Sequence, residues 1–183
     1  MKLLIASDIH GSAYHFEKLL LRIEAENPDR IIFLGDLLYH GPRNDLPKGY
    51  EPKEIITLMN ELSDRVIAVR GNCDSEVDQM VLDFPMMADY TTLSDEKGHF
   101  FFATHGHIWD PHNLADLPLS SAFLYGHTHI KQAEIINGIA LINPGSVSIP
   151  KDGTHSYASY ENESFFLKTL DEGKIVKSCS LAS

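Results

Sequence analysis

Five short apolar blocks place the strongest limit on how this chain can fold. Each block is four residues long, consists mainly of aliphatic or aromatic residues, and stops at a polar residue or a glycine. The blocks are Leu3–Ala6, Ile31–Leu34, Val66–Val69, Phe100–Ala103 and Ala122–Tyr125. Continuous apolar runs of this length are typical of strands that are buried on both faces. The chain is therefore predicted to contain a sheet that is covered on both sides.

Apolar residues recur at helical spacing in the two segments between the first three blocks. The stripes are Phe16, Leu19, Leu20 and Ile23 in the first segment, and Ile55, Ile56, Met59 and Leu62 in the second. Ser12 is placed to cap the first helix, and Pro52 fits the first turn of the second. Alternating strands and helices predict right-handed crossovers and a largely parallel sheet.

The second half of the chain has the turn signals of antiparallel structure. Asn137-Gly138 separates two apolar runs, which predicts a β-hairpin. Further turns are expected at Glu161-Asn162 and Glu172-Gly173, and residues 39–51 form a loop longer than most. We find no internal repeat, low-complexity tract or linker, so residues 1–183 are expected to form one domain of the α/β class.

Charge and composition exclude several classes of protein. The chain has 15 lysines and arginines against 26 aspartates and glutamates, a formal net charge of −11, whereas general nucleic-acid binding needs a basic surface. Because no apolar run exceeds four residues, a membrane span of about 20 residues is not expected. We find no secretory signal, and the only cysteines are Cys73 and Cys179. The sequence therefore predicts a reducing, cytoplasmic location.

Side chains that can bind metal follow each of the five blocks. They are Asp8 and His10, Asp36, Asn72, His105, and His127 and His129. In open α/β sheets, ligands gather at the carboxyl ends of the strands. Any one of these residues alone is more often a turn former or a surface side chain, but coincidence at five successive strand ends favours a metal site. Two carboxylates, four imidazoles and one amide suit two metal ions rather than one.

The spacing within this set agrees with a shared site. Asp8 and His10 are two residues apart, as are His127 and His129, and side chains at this spacing point the same way on extended backbone. Glycines precede three of the candidate ligands and allow tight turns beside a crowded site. Four further histidines show no such spacing and are expected at the surface: His15, His99, His112 and His155.

These motifs resemble, in order, those of the calcineurin-like metallophosphoesterases. The motifs are Asp8-Ile9-His10, Gly35-Asp36, Gly71-Asn72, Thr104-His105-Gly106-His107 and Gly126-His127-Thr128-His129. Residues 40–44, 70–80 and 143–151 carry a closer resemblance, to small single-domain bacterial phosphodiesterases of that family. The resemblance covers essentially the whole chain. It implies a sandwich of two mixed β-sheets flanked by α-helices, in four layers (α-β-β-α).

The resemblance also implies a division of the ligands between two divalent ions. It assigns Asp8, His10, Asp36 and His129 to one ion, and Asp36, Asn72, His105 and His127 to the other. Asp36 then bridges the ions, and a bridging hydroxide is the nucleophile that attacks a phosphodiester. The resemblance favours manganese, but iron, zinc and nickel stay open because mixed ligands suit several metals.

One residue departs from the family pattern. Many family members have a histidine after the asparagine, where it is thought to protonate the leaving group, and here Cys73 takes its place. A thiol is a weaker acid than imidazolium near neutral pH, which favours diesters with good leaving groups. His40 and His107 are possible substitutes for this role. We expect Asn72, Cys73 and Asp74 to act in catalysis, with Asp74 orienting a neighbour.

Arg43 and Arg70 are candidate substrate-binding residues because a guanidinium group matches the oxygens of a phosphate. The resemblance implies that the substrate is a small phosphodiester. Two alternatives stay open, namely a phosphomonoesterase and a non-catalytic scaffold of the same fold. The complete set of metal-binding side chains argues for catalysis over the scaffold. Short exposed strands leave a homo-oligomer possible.

Overall fold

The computed structural model describes residues 1–109, 111 and 122–181. Among these residues, eleven strands form one sheet of six strands and one of five. The strands are β1 (Leu3–Ala6), β2 (Arg30–Phe33), β3 (Val66–Ala68), β4 (Tyr90–Ser94), β5 (Phe100–Thr104), β6 (Ala122–Leu124), β7 (Gln132–Ile136), β8 (Ile139–Asn143), β9 (Ser156–Glu161), β10 (Ser164–Thr169) and β11 (Ile175–Ser180). The helices are α1 (Ala13–Glu26), α2 (Pro52–Asn60) and α3 (Glu76–Gln79), with a 3-10 turn at Ser63–Arg65.

The six-stranded sheet has the order β11-β10-β9-β1-β2-β3. Strands β1, β2 and β3 pair in parallel, as predicted, and the helices α1 and α2 lie in the connections between them. The last three strands are antiparallel, and β9 joins them to β1. The same sheet therefore combines the predicted parallel half with the predicted antiparallel C-terminal part.

The five-stranded sheet has the order β4-β5-β6-β8-β7. Strands β5, β6 and β8 are parallel, and β4 and β7 pair antiparallel at the two edges. The hairpin predicted at Asn137-Gly138 connects β7 to β8, and both residues have positive φ angles, of 52° and 81°. Positive φ at both central residues is the conformation that this dipeptide favours in a two-residue hairpin. The predicted sandwich of two mixed sheets is confirmed.

Strand β1 is buried on both faces, which explains its unbroken apolar sequence. Leu4 and Ala6 pack with the apolar faces of α1 and α2 in one core cluster. Leu3 and Ile5 point to the opposite side and pack between the two sheets with residues such as Phe101. The sheet therefore has helices on one face and the second sheet on the other.

The two long helices begin where the sequence predicts. Oγ of Ser12 accepts a hydrogen bond from the backbone nitrogen of His15 at 3.3 Å and so caps α1. Pro52 stands in the first turn of α2, where its missing N–H costs nothing. Phe16 and Ile55 are among the buried residues of the predicted stripes. Packing of these stripes places the loops that precede both helices at one edge of the sheet.

Two elements had no signal in the apolar pattern. Strand β4 lies at a sheet edge, and its residues alternate between exposed and half-buried, so it needs no apolar block. Helix α3 has only four residues and is held by a capping box between Ser75 and Asp78. In the described part of the chain, no helix is long and apolar enough to cross a membrane.

Candidate metal centre

The residues predicted to bind metal come together at one end of the sandwich. Loops after strands of the six-stranded sheet carry Asp8, His10, Asp36 and Asn72, and loops after strands of the five-stranded sheet carry His105, His127 and His129. The strands that precede these loops end at the same edge of the molecule, as expected for ligands of an α/β sheet. Both sheets therefore contribute side chains to one site.

One half of the site consists of Asp8, His10 and His129. Nε2 of His129 lies 3.1 Å from Oδ1 of Asp8, and Nε2 of His10 lies 3.6 Å from the same oxygen. The two Nε2 atoms are 3.4 Å apart. All three side chains are buried. Three potential ligand atoms thus face one another in a space that excludes bulk water.

The other half is built around Asp36. Its Oδ2 lies 3.6 Å from Nε2 of His10 and 3.5 Å from Nε2 of His105. Nε2 of His105 is in turn 3.1 Å from Oδ1 of Asn72. The ring of His127 lies beside that of His105, with the centroids 5.2 Å apart. Asp36 therefore stands between the two halves, as a ligand shared by two ions requires.

Backbone carbonyls orient the imidazole rings. The Nδ1 atoms of His10, His105 and His129 lie 2.9, 2.6 and 2.8 Å from the carbonyl oxygens of Tyr39, Leu34 and Ile149, respectively. Because a carbonyl can only accept, Nδ1 carries the proton in each neutral ring, and Nε2 keeps its lone pair. Histidines that bind metals are usually oriented in this way.

The donor set fits a divalent cation. When the rings are neutral, the Nε2 atoms of His10 and His129 point their lone pairs at each other. Among the described residues, Oδ1 of Asp8 is buried and has no hydrogen-bond donor. A cation between these atoms satisfies all three. Ligand atoms of Asp8, Asp36 and His105 also lie within 4.8 Å of one another. These two groups of potential ligands share Asp8.

The backbone of these loops differs from the sequence interpretation. Five candidate ligands have positive φ angles: Asp8 (57°), His10 (48°), Asp36 (55°), His127 (64°) and His129 (60°). They adopt the left-handed region, so the expectation that residues two apart lie on extended backbone was wrong. Residues other than glycine are rare in the left-handed region, and those that adopt it concentrate at functional sites. The loops therefore turn sharply in order to direct these side chains inward.

The two carboxylates govern the protonation of the surrounding histidines. Burial favours the neutral form of His105, but Asp36 and Asp8 outweigh it and raise the pKa of His105 to about 9. Burial together with the positive charge of His105 lowers the pKa of His127. Burial alone raises the pKa of Asp36, yet its hydrogen bond with His105 brings that pKa below the ordinary value. An ion that bound to Nε2 of His105 would therefore have to displace a proton.

Asp74 supports the loop that carries Asp36. Its carboxylate accepts hydrogen bonds from the backbone nitrogens of Asp36, Leu37 and Gly71 at 2.8, 2.9 and 2.7 Å. Gly71 is required here because a Cβ atom would lie 2.1 Å from Oδ1 of Asp36. Asp74 thus holds the backbone on both sides of the Asp36 side chain, and its part in catalysis stays a prediction.

Cys73 lies directly beside the candidate ligands. Its backbone nitrogen donates to Oδ1 of Asp36 at 2.8 Å, and its Sγ accepts from Nδ2 of Asn72 at 3.2 Å. Burial and the charge of Asp36 raise the pKa of the Cys73 thiol to about 12. The sulfur also lies within 4.8 Å of ligand atoms of His10 and Asp36, a proximity that the sequence pattern did not indicate.

A cavity of about 410 Å³ opens over the candidate ligands. Asn72, Cys73, His127 and Arg43 contribute to its wall, and so does Lys151, which the sequence interpretation did not select. Arg70 does not line this cavity. Its Nη2 and Nε instead lie 2.6 and 3.0 Å from Oδ1 of Asp89. The two predicted arginines are thus placed differently, with Arg43 at the cavity and Arg70 in an ion pair.

The remaining histidines occupy distinct places. His107 has its ring centroid 5.3 Å from that of His105, and burial lowers its pKa. His40 stacks edge-on between Tyr39 and Tyr50, outside the cavity wall.

The surface position expected of His15 is wrong. The residue is only 5% exposed, because its ring packs against His155 at a centroid distance of 4.1 Å and lies 2.7 Å from Oγ of Ser12. His155 and His99 are partly buried, with His99 in contact with Asp95, whereas His112 lies outside the described residues.

Comparisons with known proteins agree on one family. The family model described as the calcineurin-like phosphoesterase superfamily domain matches residues 1–164. The chain is 46% identical to phosphodiesterase YfcE of Escherichia coli over 177 residues, which cover 96% of each chain. A solved structure of YfcE, described as a phosphoesterase from E. coli, superposes with a TM-score of 0.94 at 44% identity and covers 99% of this chain and 100% of its own.

A more distant similarity extends to Vps29 from Entamoeba histolytica. A structure of its single mutant superposes with a TM-score of 0.68 at 20% identity, covering 97% of both chains. At this identity the similarity demonstrates a common fold alone. The chain therefore has close relatives that are phosphodiesterases by name and a distant structural relative that carries no such name.

Proposed function

The chain belongs to the calcineurin-like phosphoesterase superfamily, and we propose that it hydrolyses small phosphodiesters with the help of two divalent metal ions. The observation that carries the proposal is the pair of overlapping ligand groups around Asp8 and Asp36. The high identity to phosphodiesterase YfcE, over nearly the whole chain, supports the preference for diesters. Manganese is the metal that we propose first.

The proposal assigns one ion to Asp8, His10, Asp36 and His129, and the second to Asp36, Asn72, His105 and His127. Bound there, divalent ions supply Lewis acidity to the phosphoryl oxygens and lower the pKa of an attacking water. Two divalent ions exceed the charge of the two carboxylates, so the site attracts an anionic ester although the chain has a net charge of −11.

Residues around the ligands bind and orient the ester. Arg43 and Lys151 stand at the wall of the cavity, where their positive charges are available to the phosphate or to a polar group attached to it. Asn72 offers its amide beside His105. Cys73 lies next to Asn72, and we assign it to the side of the leaving group. Arg70 has a smaller part, because Asp89 already holds its guanidinium group.

The proposal extends to the setting of the protein. We propose that residues 1–183 act as one domain, with the family match spanning residues 1–164. Neither Cys73 nor Cys179 forms a disulfide, which suits a reducing compartment such as the cytoplasm.

A metal and substrate panel tests the proposal. The protein is stripped with a chelator, its metal content is verified, and hydrolysis of bis(4-nitrophenyl) phosphate and of 4-nitrophenyl phosphate is measured before and after manganese is restored. We expect no hydrolysis without metal and a higher kcat/KM for the diester with manganese. Full activity without metal contradicts the mechanism, a preference for the monoester favours a phosphatase, and metal binding without hydrolysis favours a scaffold.

Substitution of Asp36 tests the shared ligand. Asp36→Asn keeps the shape of the side chain but removes the charge between the two halves of the site. We expect loss of at least one ion per chain by elemental analysis and a fall in kcat of at least about 100-fold, because Lewis acidity contributes several kcal/mol. Asp64→Asn makes the same change at an exposed turn and serves as the control. Two ions and a normal rate in Asp36→Asn exclude the shared position.

A further inference from the structure

We propose that an apolar groove beside the metal centre receives one ester group of the substrate, so that the protein selects phosphodiesters with an aromatic or bulky aliphatic arm. This inference rests on the proposed hydrolysis of phosphoesters and specifies the substrate class. The groove has a volume of about 660 Å³ and shares Asn72 and Cys73 with the cavity that holds Arg43.

The walls of the groove are largely apolar and open to solvent. The apolar residues of the wall include Tyr39, Tyr50, Ile56, Val77 and Val81. Val77 is 67% exposed and Tyr39 is 41% exposed, which is high for side chains of this type. Apolar surface that adjoins a reaction centre is typical of a subsite for an apolar part of the substrate.

The groove is coupled to the centre by shared residues. Asn72 and Cys73 line both the groove and the cavity over the candidate ligands. The carbonyl of Tyr39 lies 2.9 Å from Nδ1 of His10, so the backbone that presents the Tyr39 ring to the groove also orients a candidate ligand. An ester bound at the metals therefore lies within reach of the groove on the Cys73 side, where we place the leaving group.

The groove and the cavity differ in charge. Among the described residues that line the groove, Asp74 and Asp78 are acidic and Lys53 is basic. The cavity instead has Arg43 and Lys151 beside Asp36. An anionic arm is favoured in the cavity and disfavoured in the groove. The combination fits an asymmetric diester with one uncharged, apolar arm and one polar or anionic arm.

The flanking aromatic rings hold the groove in a fixed shape. The ring of His40 packs edge-on against Tyr39 and Tyr50, with centroid distances of 4.8 and 5.2 Å. Tyr50 also packs closely against Gly11, where a Cβ atom would lie 2.4 Å from the tyrosine ring. A preformed apolar site loses little entropy when a ligand binds, so each methylene or ring carbon that it covers adds to affinity.

Direct binding of two phosphonates tests the inference without any catalytic step. Dissociation constants of phenylphosphonate and methylphosphonate are measured by titration calorimetry on the manganese-loaded protein. We expect phenylphosphonate to bind about 10-fold more tightly, because a ring that is partly covered by apolar surface gains roughly that much. In Val77→Ser the advantage falls to about 3-fold, and in the double variant Tyr39→Ala, Val77→Ser it is lost.

A matched substitution and a separate readout keep the result specific. Leu21→Ser removes a similarly exposed aliphatic side chain from α1, away from the groove, and should leave the ratio unchanged. The inference is overturned if the two phosphonates bind the unaltered protein with equal affinity. It is also overturned if the ratio of their dissociation constants is unchanged in both groove variants. Absence of diester hydrolysis contradicts the proposed function instead, since the calorimetric ratio does not depend on turnover.

Discussion

The candidate ligands combine backbone strain with fixed ring orientation. Asp8, His10, Asp36, His127 and His129 all have left-handed backbone, a conformation that costs about 1–3 kcal/mol for each residue that is not glycine. Such strain persists only where surrounding contacts impose it. Here the loop contacts include the hydrogen bonds from Ile9 and His10 to the carbonyl of Asp36. The protein therefore gives up stability at these positions in order to direct its ligand atoms to one point.

Cys73→His is expected to change the preference among substrates. Burial and Asp36 raise the pKa of the Cys73 thiol to about 12, so it is a very weak acid beside the leaving group. Imidazolium donates a proton near neutral pH, and general acid catalysis contributes about 10²–10⁴-fold when the leaving group is poor. The ratio of kcat/KM for an alkyl monoester to that for an aryl diester should therefore rise.

Metal analysis and a second cysteine variant control this experiment. Cys73 is not among the seven proposed ligands, so two ions should remain bound in Cys73→His. Cys179→Ser alters the other thiol, in β11, and should leave the substrate ratio unchanged. An unchanged ratio in Cys73→His with both ions present means that Cys73 does not face the leaving group.

An ion pair between Lys131 and Asp152 is one of the contacts that hold the segment between β8 and β9. Nζ of Lys131 donates to Oδ1 of Asp152 at 2.5 Å and to the carbonyl of Thr154 at 3.0 Å, and the lysine is only 8% exposed. The carbonyl of Ile149 in the same segment accepts from Nδ1 of His129. Lys131 therefore positions His129 through the segment that it holds.

Lys131→Met is expected to weaken metal binding more than it destabilises the fold. Loss of a partner that orients a histidine ligand typically lowers metal affinity by about 10–100-fold, and we expect a loss near the lower limit. Lys168→Met breaks a similar ion pair, in which Nζ lies 2.6 Å from Oε1 of Glu26, and serves as the control. Manganese affinity is measured by calorimetry and the melting temperature by circular dichroism. Equal manganese affinities in the two variants exclude the positioning role.

The sequence predicted the elements whose burial is reflected in their amino-acid composition. Strand β1 is apolar throughout because both its faces are covered, and Asn137-Gly138 forms the expected hairpin. Strand β4 escaped prediction because an edge strand with one half-buried face has no continuous apolar run. His15 was placed wrongly because its ring packs against His155, which is 140 residues away in the sequence.

The same limit applies to the site. Motifs at the ends of strands predicted which side chains converge, because the carboxyl ends of neighbouring strands share an edge. They could not indicate the left-handed backbone of Asp8 or His129, which depends on contacts between loops. Nor could they distinguish Arg43, at the cavity, from Arg70, which pairs with Asp89. Whether an arginine faces a cavity or pairs with a carboxylate depends on the tertiary structure.

Metal binding is expected to stabilise the whole molecule because the proposed ligands belong to both sheets. His10 and Asp36 follow strands of the six-stranded sheet, and His105 and His129 follow strands of the five-stranded sheet. An ion that binds the folded chain adds about 2.7 kcal/mol at a concentration 100 times its dissociation constant. For a chain of this size that corresponds to a rise in melting temperature of about 5–10 °C.

The stabilisation of the folded protein by manganese should increase with pH. Burial lowers the pKa of His105 in the metal-free protein, but Asp36 and Asp8 outweigh it and raise that pKa to about 9. The charged form of His105 therefore stabilises the metal-free protein fully below about pH 6.5. This contribution disappears as the pH rises through 9. The proton that competes with manganese disappears over the same range. We therefore expect the difference in melting temperature between manganese and chelator to be larger at pH 8 than at pH 6.5. Asp36→Asn should show a smaller difference than the unaltered protein at both pH values. A difference in the unaltered protein that is constant or falls with pH contradicts the proposed role of His105.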